Sequence, residues 1–261
     1  MTESEAREVM ERATDRGAPL PNIVEYSEAL RKTEEILGKD YTDEQLHNWI
    51  LCGKYPFLVP KYWNREMMQY EIDKDYDYKF TELDDMPDGW RKAFGKMMCE
   101  EIKQELVKCN YLNEYMITQI KEKFGELRWY DNGTPVDCEV PEIIDKYSML
   151  SQNICIICGK PDVPMTHNGW DSPYCKECFT APTDWYKKEY PNEVDKWIKN
   201  HIEDWEEYNK EENNKMRDSY TVIRWSKDKG EEKVTYDISE TANKIRSKWR
   251  AEHGERDSLQ D

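Results

Sequence analysis

The chain of 261 residues lacks the long apolar runs that membrane proteins need. No stretch approaches the roughly 18 consecutive apolar residues of a membrane-spanning helix. The acidic amino-terminal segment MTESEAREVMERATDRGAPL also lacks the short apolar run of a signal peptide. We therefore expect no membrane association and a cytoplasmic location. Thiols stay reduced in the cytoplasm, so the eight cysteines indicate metal ligands and buried packing residues instead of disulfides.

Basic residues are scarce relative to acidic ones. The chain has 38 Lys and Arg against 55 Asp and Glu, which gives a formal net charge of −17. Because nucleic-acid binding requires clustered positive charge to neutralise phosphates, direct nucleic-acid binding is disfavoured. A protein partner with a basic surface fits this charge better. The same charge also fits a chain that stays soluble and has no partner.

Recognisable catalytic motifs are missing too. The four histidines lie far apart, none of them in a His-Glu-x-x-His spacing, and the chain has no Gly-rich phosphate loop and no Gly-x-Ser-x-Gly segment. Acidic clusters such as Asp73, Asp75 and Asp77 are expected at the surface of so acidic a chain. The sequence identifies no catalytic residue and favours a non-enzymatic function, although the question of enzymatic activity stays open.

Aromatic residues are abundant, with ten Trp and seventeen Tyr, and they favour a folded chain. Periodicity and capping residues predict an α+β fold with a small antiparallel sheet. Four regions are predicted: a helical amino-terminal region (1–80), a helix with a β-hairpin (81–150), a cysteine module (151–180), and a long charged helix, hairpin and final helix (181–261). The predicted features include an N-cap at Asp88, a helix from about Thr183 to Asp218, and an N-cap at Ser239.

The segment NICIICGKPDVPMTHNGWDSPYCKECF carries two Cys-x-x-Cys pairs. Cys155, Cys158, Cys175 and Cys178 have the spacing of a zinc-ribbon or treble-clef site, and Gly159 allows the left-handed turn that such a knuckle needs. We favour Zn²⁺ over an iron–sulfur cluster or a redox-active pair. Four thiolates leave no coordination position for substrate, so the metal is expected to be structural. The other cysteines, 52, 99, 109 and 138, are predicted to be packing residues.

Cations gather around the predicted hairpin YMITQIKEKFGELRWYDNG. Alternation places Gln119, Lys121 and Lys123 on one face of its first strand. Such a face could receive an anion, a nucleotide or an acidic partner, whereas the simpler interpretation is cross-strand ion pairing on an exposed sheet. The complete candidate binding set is Arg91, Gln119, Lys121, Lys123, Arg128 and Trp129.

The segments MPDGWRKAF, QIKEKFGELRWY, CIICGKP and GWDSPYCKEC follow one another in this order. Together they resemble a widespread set of uncharacterised bacterial and phage proteins, in which a Pro-x-Gly-Trp helix start precedes the hairpin and a Cys-x-x-Cys-Gly knuckle. The resemblance covers residues 84–179 approximately. It implies a shared fold and a phage or prophage origin, with action in the host cytoplasm, but no reaction.

These observations favour an acidic, zinc-containing, non-enzymatic protein that acts by protein–protein interaction. One form of this function is an anti-defence inhibitor that masks a basic surface on a host protein. The alternative from another class is a nucleotide-binding or nucleotide-processing protein that uses the basic hairpin face.

Overall fold

Helices and two-stranded antiparallel sheets alternate along the chain in a computed structural model that describes residues 1–15, 17–167, 169–210, 215–226 and 230–254. The α-helices are α1 (Glu3–Thr14), α2 (Ile23–Leu37), α3 (Asp43–Lys54), α4 (Asp88–Trp90), α5 (Lys96–Lys108), α6 (Val140–Ser151), α7 (Lys176–Phe179), α8 (Asp184–Glu189), α9 (Val194–Tyr208) and α10 (Ser239–His253). The paired strands are β1 (Lys61–Asn64) with β2 (Gln69–Ile72), β3 (Ile117–Lys123) with β4 (Glu126–Asp131), β5 (Met165–Thr166) with β6 (Ser172–Pro173), and β7 (Ser219–Ser226) with β8 (Gly230–Asp237). The predicted α+β class and helical amino terminus are confirmed.

The chain forms two compact units that do not follow chain order. The first unit contains Met1–Asp85, Lys103–Gln119 and Tyr130–Cys138, and the second contains Met86–Ile102, Ile120–Trp129 and Glu139–Asp261. Helix α5 and the β3–β4 hairpin therefore contribute residues to both units. The four regions drawn from the sequence stay a prediction about domains.

The first three helices pack together in the first unit. Thr42 caps α3 and forms a reciprocal capping box with Gln45, a pattern that can be read from the sequence Thr42-Asp43-Glu44-Gln45. Apolar residues of α1, α2 and α3 form one buried cluster around Trp49, which is fully buried. Arg7 covers the Trp49 ring, with its guanidinium carbon 4.7 Å from the ring centroid. The amphipathic patterns of these helices thus account for this core.

The helix predicted to begin at Asp88 differs from the expectation in two respects. Its N-cap is Pro87, and Asp88 is already the first helical residue. Between α4 and α5, residues Arg91–Gly95 form a π-helical segment. Such a segment shifts the side chains on either side of it around the helix axis, and the simple three- and four-residue periodicity of the sequence gave no sign of this shift.

The region predicted as one helix from Thr183 to Asp218 contains two helices among its described residues. Helix α8 ends at Glu189, and α9 begins at Val194. Pro191 lies between them and disfavours helical backbone at the preceding residue. The last helix is also capped differently from the expectation, because the Asp237 carboxylate accepts the Ser239 N–H at 2.9 Å and the N-cap position is Ile238.

The hairpins form where the sequence predicts them. The β3–β4 turn has positive φ at both Phe124 (57°) and Gly125 (72°), which is the backbone of a tight two-residue hairpin turn. Strands β7 and β8 pair along their full length, and the Thr221 and Thr235 hydroxyls lie 2.8 Å apart across them. A third hairpin, β1–β2, lies in the helical amino-terminal region that the sequence predicts for residues 1–80.

Candidate metal centre

The first cysteine pair lies in a tight knuckle of the second unit. The Cys155 N–H donates to the Lys160 carbonyl at 2.8 Å, and the Gly159 N–H donates to the Cys155 carbonyl at 2.9 Å. Gly159 has φ of 88°, the left-handed backbone that residues with a side chain rarely adopt. The expected role of this glycine is therefore confirmed, and the turn directs both sulfurs to one side.

The second cysteine pair follows a short hairpin. Strands β5 and β6 lead directly to Cys175, which is the N-cap residue of α7, while Cys178 lies within that helix. A backbone hydrogen bond of 2.9 Å from the Ile156 N–H to the Pro173 carbonyl joins the first knuckle to the end of this hairpin. Knuckle, hairpin and short helix thus form one module that brings the two pairs together.

The sulfurs of Cys155, Cys158, Cys175 and Cys178 form what we call the four-cysteine cluster. All four sulfur atoms lie within 4.8 Å of one another, and the Cys158 and Cys175 sulfurs are 3.6 Å apart. Four sulfurs at about 2.3 Å from a tetrahedral Zn²⁺ are separated by roughly 3.8 Å. The four-cysteine cluster is therefore close enough to hold a metal ion.

Hydrogen bonds within the four-cysteine cluster favour the thiolate form of Cys155. The Cys158 and Cys175 thiols, together with their backbone N–H groups, donate to Cys155 and lower its pKa to about 2. The pKa of Cys175 is raised, chiefly because its thiol donates to Cys155. Thiols this close compete for protons, and a bound divalent cation would let all four ionise together. The cluster is thus electrostatically suited to a cation.

Two residues of the predicted Pro-x-Gly-Trp helix start hold the knuckle from the other side. The Gly89 N–H donates to the Ile156 carbonyl at 2.9 Å, and the Trp90 indole N–H donates to the Ile154 carbonyl at 2.9 Å. Trp90 is fully buried. Contacts such as these orient a metal module without supplying any ligand.

The tip of the β3–β4 hairpin contacts the same module. The Trp170 indole N–H donates to the Glu122 carboxylate at 3.2 Å, and the rings of Phe124 and Trp170 stack with centroids 6.5 Å apart. His167 lies between the two cysteine pairs in the chain and is half exposed, and its Nδ1 lies 2.7 Å from an Asp171 carboxylate oxygen. It does not belong to the four-cysteine cluster.

An aromatic pocket of about 260 Å³ adjoins the four-cysteine cluster on the side of α9. We define this aromatic pocket by its five ring-bearing residues, Trp170, Tyr174, Phe179, Trp197 and His201. Trp197 and His201 stack with ring centroids 3.5 Å apart. The Trp205 indole N–H donates to the Tyr174 carbonyl at 3.0 Å and ties α9 to the module. Of these residues, only His201 belongs to the apolar face that periodicity predicts for the long charged helix, and only the folded chain brings all five around a cavity.

The predicted binding set on the hairpin is arranged differently from an open phosphate cradle. Arg128 pairs with Glu126 at 3.2 Å, and Arg91 pairs with Asp88 at 2.7 Å. Trp129 is only 5% exposed, so its ring faces the interior. The remaining residues of the set, Gln119, Lys121 and Lys123, are exposed or half-buried on β3. Of the six, Gln119 alone belongs to the first unit. Anion binding on this face stays a prediction.

The remaining four cysteines do not all have the same environment. Cys52 and Cys99 are buried, as expected of packing residues. Cys109 is only half-buried, and its sulfur lies close to that of Cys138 and to a carboxylate oxygen of Glu105. This second grouping had no signal in the sequence, because Cys109 and Cys138 are not close in the chain.

The residues described by the structure include no helix that is both long and apolar enough to cross a bilayer. The resemblance to bacterial and phage proteins stays a prediction. Comparisons of this chain with known protein families, with curated proteins and with solved structures found no match.

Proposed function

We propose that this chain is a zinc-stabilised binding protein that recognises a basic protein partner. Zn²⁺ suits the four-cysteine cluster, because thiolates are soft ligands and four of them complete a tetrahedral shell. The order of knuckle, hairpin and helix that carries these ligands is that of a treble-clef module. In such a site the metal contributes to folding and has no free position for substrate.

The aromatic pocket is the observation that carries the binding proposal. The faces of Trp and Tyr rings are electron-rich and attract Lys or Arg side chains that approach them. The Glu122 carboxylate accepts a hydrogen bond from the indole N–H of Trp170, a residue of the pocket, and Asp171 directly follows Trp170 in the chain. A cationic side chain of a partner protein therefore fits this pocket better than an anion does. The net charge of −17 supports the same partner chemistry by attracting basic surfaces over a longer range.

The origin and biological target belong to this proposal as well. We propose, on the resemblance of residues 84–179 alone, that the protein is encoded by a phage or prophage. An acidic protein of this kind would act in the host cytoplasm by covering a basic surface on a host protein, as an anti-defence inhibitor does. The proposal assigns no catalytic residue.

Elemental analysis tests the metal assignment. We expect zinc in the purified chain, and we expect Cys175→Ser to lose the zinc bound by the four-cysteine cluster and to melt at a lower temperature. Structural zinc contributes about 10–16 kcal/mol in zinc-finger peptides, so the loss should be large. Iron and inorganic sulfide in place of zinc would contradict the assignment.

Fluorescence anisotropy with labelled peptides tests the binding proposal. We expect a Lys-rich peptide to bind and a Glu-rich peptide of equal length not to bind. Trp197→Ala should weaken binding by about 5-fold, which corresponds to roughly 1 kcal/mol of cation–π attraction. The matched control is Trp185→Ala, because Trp185 is 63% exposed and does not line the aromatic pocket. Equal effects of the two substitutions, at unchanged zinc content, would contradict the aromatic pocket as the binding site.

A further inference from the structure

A second group of metal-ligating side chains lies in the first compact unit. Glu105 lies in the last turn of α5, and Cys109 directly follows this helix. Cys138 lies in the segment before α6. The two sulfurs and a carboxylate oxygen of Glu105 all lie within 4.8 Å of one another. We call these three residues the Glu105–Cys109–Cys138 cluster.

The end of α5 places the Glu105 and Cys109 side chains next to each other. Glu105 and Cys109 are four residues apart, so their side chains lie on one face of the helix, and the Cys109 N–H donates to the Glu105 carbonyl at 2.9 Å. Asn110 then adopts φ of 52°, and the Tyr111 N–H donates back to the Leu106 carbonyl at 2.8 Å, which ends the helix. These hydrogen bonds end the helix at a defined position and hold Glu105 and Cys109 side by side.

Cys138 reaches the same point from a separate turn. Its N–H donates to the Pro135 carbonyl at 3.0 Å, and its side chain is buried at 5% exposure. The end of α5 thus supplies two potential ligands, and a loop distant in sequence supplies the third. Together these three side chains can bind one ion. The ion would then join the loop after β4 to the end of α5.

The burial of Glu105 supports a cation at this point. Its side chain is only 9% exposed, and its Oε1 lies 3.3 Å from the Cys109 sulfur. Lys108 pairs with the same carboxylate at 3.0 Å from a largely exposed position. A buried carboxylate beside two thiols is an unusual packing environment, whereas thiolate sulfurs and a carboxylate oxygen are each ligand types that Zn²⁺ accepts.

We propose that the Glu105–Cys109–Cys138 cluster binds a thiophilic divalent cation, of which Zn²⁺ is the prime candidate. Binding would release the two thiol protons, so that two thiolates and one carboxylate surround the ion. The three negative charges exceed the ion's two positive charges by one, and Lys108 lies close enough to offset the difference. Three protein ligands leave one tetrahedral position for water or another exogenous ligand, in contrast to the closed four-cysteine cluster.

A disulfide between Cys109 and Cys138 is the competing interpretation. It would use both sulfurs, but it would give the buried Glu105 carboxylate no role. The two interpretations differ in a measurable way, because a metal site requires free thiols and a carboxylate, while a disulfide requires neither a metal nor Glu105.

Zinc stoichiometry of the full chain, purified under reducing conditions, tests the proposal. We expect two zinc ions per chain in the wild type and one in Cys138→Ser or Cys109→Ser. Glu105→Gln keeps the shape of the side chain and should weaken binding of the second ion. In a series of chelators of increasing zinc affinity, the weaker chelators should then remove this ion before the other one. The control is Cys52→Ser, a buried cysteine of the same unit that should retain two ions.

The outcomes separate this proposal from the four-cysteine assignment. One zinc per wild-type chain that is retained in Cys138→Ser and lost in Cys175→Ser would overturn the second site and keep the first. One zinc that shows the reverse pattern would overturn the first site and support the second. A Cys109–Cys138 disulfide in peptide mapping of protein purified without reductant, combined with one zinc per chain under reducing conditions, would also overturn the proposal.

Discussion

Gly89 and Cys155 touch through their backbones. A Cβ atom added to Gly89 would lie 2.1 Å from the Cys155 carbonyl oxygen, a distance that no real side chain tolerates. A second close approach joins the same two segments, because a Cβ atom added to Gly159 would lie 2.7 Å from the Gly89 carbonyl oxygen. Two glycines that are far apart in the chain therefore allow the first helical turn of α4 to rest directly on the knuckle formed by residues 155–159. This contact gives a physical reason for the two motifs to occur in one chain.

Gly89→Ala is expected to destabilise the second unit and to weaken metal retention. The added methyl group would collide with backbone atoms, which cannot rotate away as a side chain can. Overpacking of this kind costs about 1–3 kcal/mol or more. Thermal melting and chelator-induced release of the metal proposed for the four-cysteine cluster would measure both effects.

A matched control is available in Gly17→Ala. The nearest atom to a Cβ at Gly17 is a side-chain oxygen of Asp15 at 3.5 Å, an ordinary contact distance. We expect this substitution to leave the melting temperature nearly unchanged. A Gly89→Ala protein as stable as Gly17→Ala would show that the knuckle can move away from α4.

Trp90→Phe tests the second contact between α4 and the knuckle. The substitution keeps an aromatic ring but removes the indole N–H that reaches the Ile154 carbonyl. A buried carbonyl without its partner costs about 1–3 kcal/mol, to which the smaller ring adds a packing loss. The free energy of unfolding from urea titration should fall by at least this amount. Trp185→Phe changes the same residue type at an exposed position and should have no measurable effect, so a similar loss in both variants would contradict the assignment.

Local signals accounted for the parts of the fold that depend on local physics. The capping box of Thr42 and Gln45, the Phe124-Gly125 turn and the spacing of the cysteine pairs each depend on residues close in the chain. Pro191 is a further local signal, because it lies at the break between α8 and α9. Turns and helix starts were thus predictable where a glycine or a reciprocal capping box sets the backbone, whereas the single capping residues Asp88 and Ser239 each misplaced a helix start by one residue.

The rest of the site depends on contacts between distant segments. Nothing near Cys109 in sequence indicates that Cys138 packs beside it, and the aromatic pocket requires α9 to return to the module through Trp205 and Tyr174. The burial of Trp129 likewise depends on which face of the hairpin meets the core. Alternation alone predicts two faces but cannot assign one of them to solvent.

Arg246→Gln tests how α10 is attached to the module. The Arg246 guanidinium donates to both carboxylate oxygens of Asp162, at 2.8 and 2.9 Å, and also to the Met216 carbonyl at 3.1 Å. Gln is too short and has no fork to reproduce this geometry. We expect the free energy of unfolding to fall by about 1.5–3 kcal/mol, the range for hydrogen bonds to charged groups.

The control for Arg246→Gln is an ion pair at the surface. Lys187 pairs with a fully exposed Asp184 at 3.1 Å, and such pairs contribute about 0–1 kcal/mol. Lys187→Gln should therefore change the urea midpoint very little. If both substitutions had equally small effects, the bidentate contact of Arg246 would contribute no more than a surface pair.

Glu82 gives the first unit a pH dependence that Glu82→Gln should remove. Glu82 is half-buried in the short helix Glu82–Asp85, and burial, followed by the nearby Asp85 charge, raises its pKa above the ordinary value of 4.5. A raised pKa in the folded state means that the protonated form is the better accommodated one. The stability that protonated Glu82 contributes is complete below pH 4.5 and is lost as the pH rises through the folded-state pKa.

The Gln side chain mimics the protonated form of Glu82 and can still accept the hydrogen bond from the Lys61 backbone N–H. Glu82→Gln should therefore match the wild type at low pH and become the more stable protein as the pH rises through this range. Urea titrations at several pH values would measure the difference, with Glu28→Gln on the exposed face of α2 as the control. A difference between Glu82→Gln and the wild type that does not vary with pH, or that grows as the pH falls, would contradict the raised pKa.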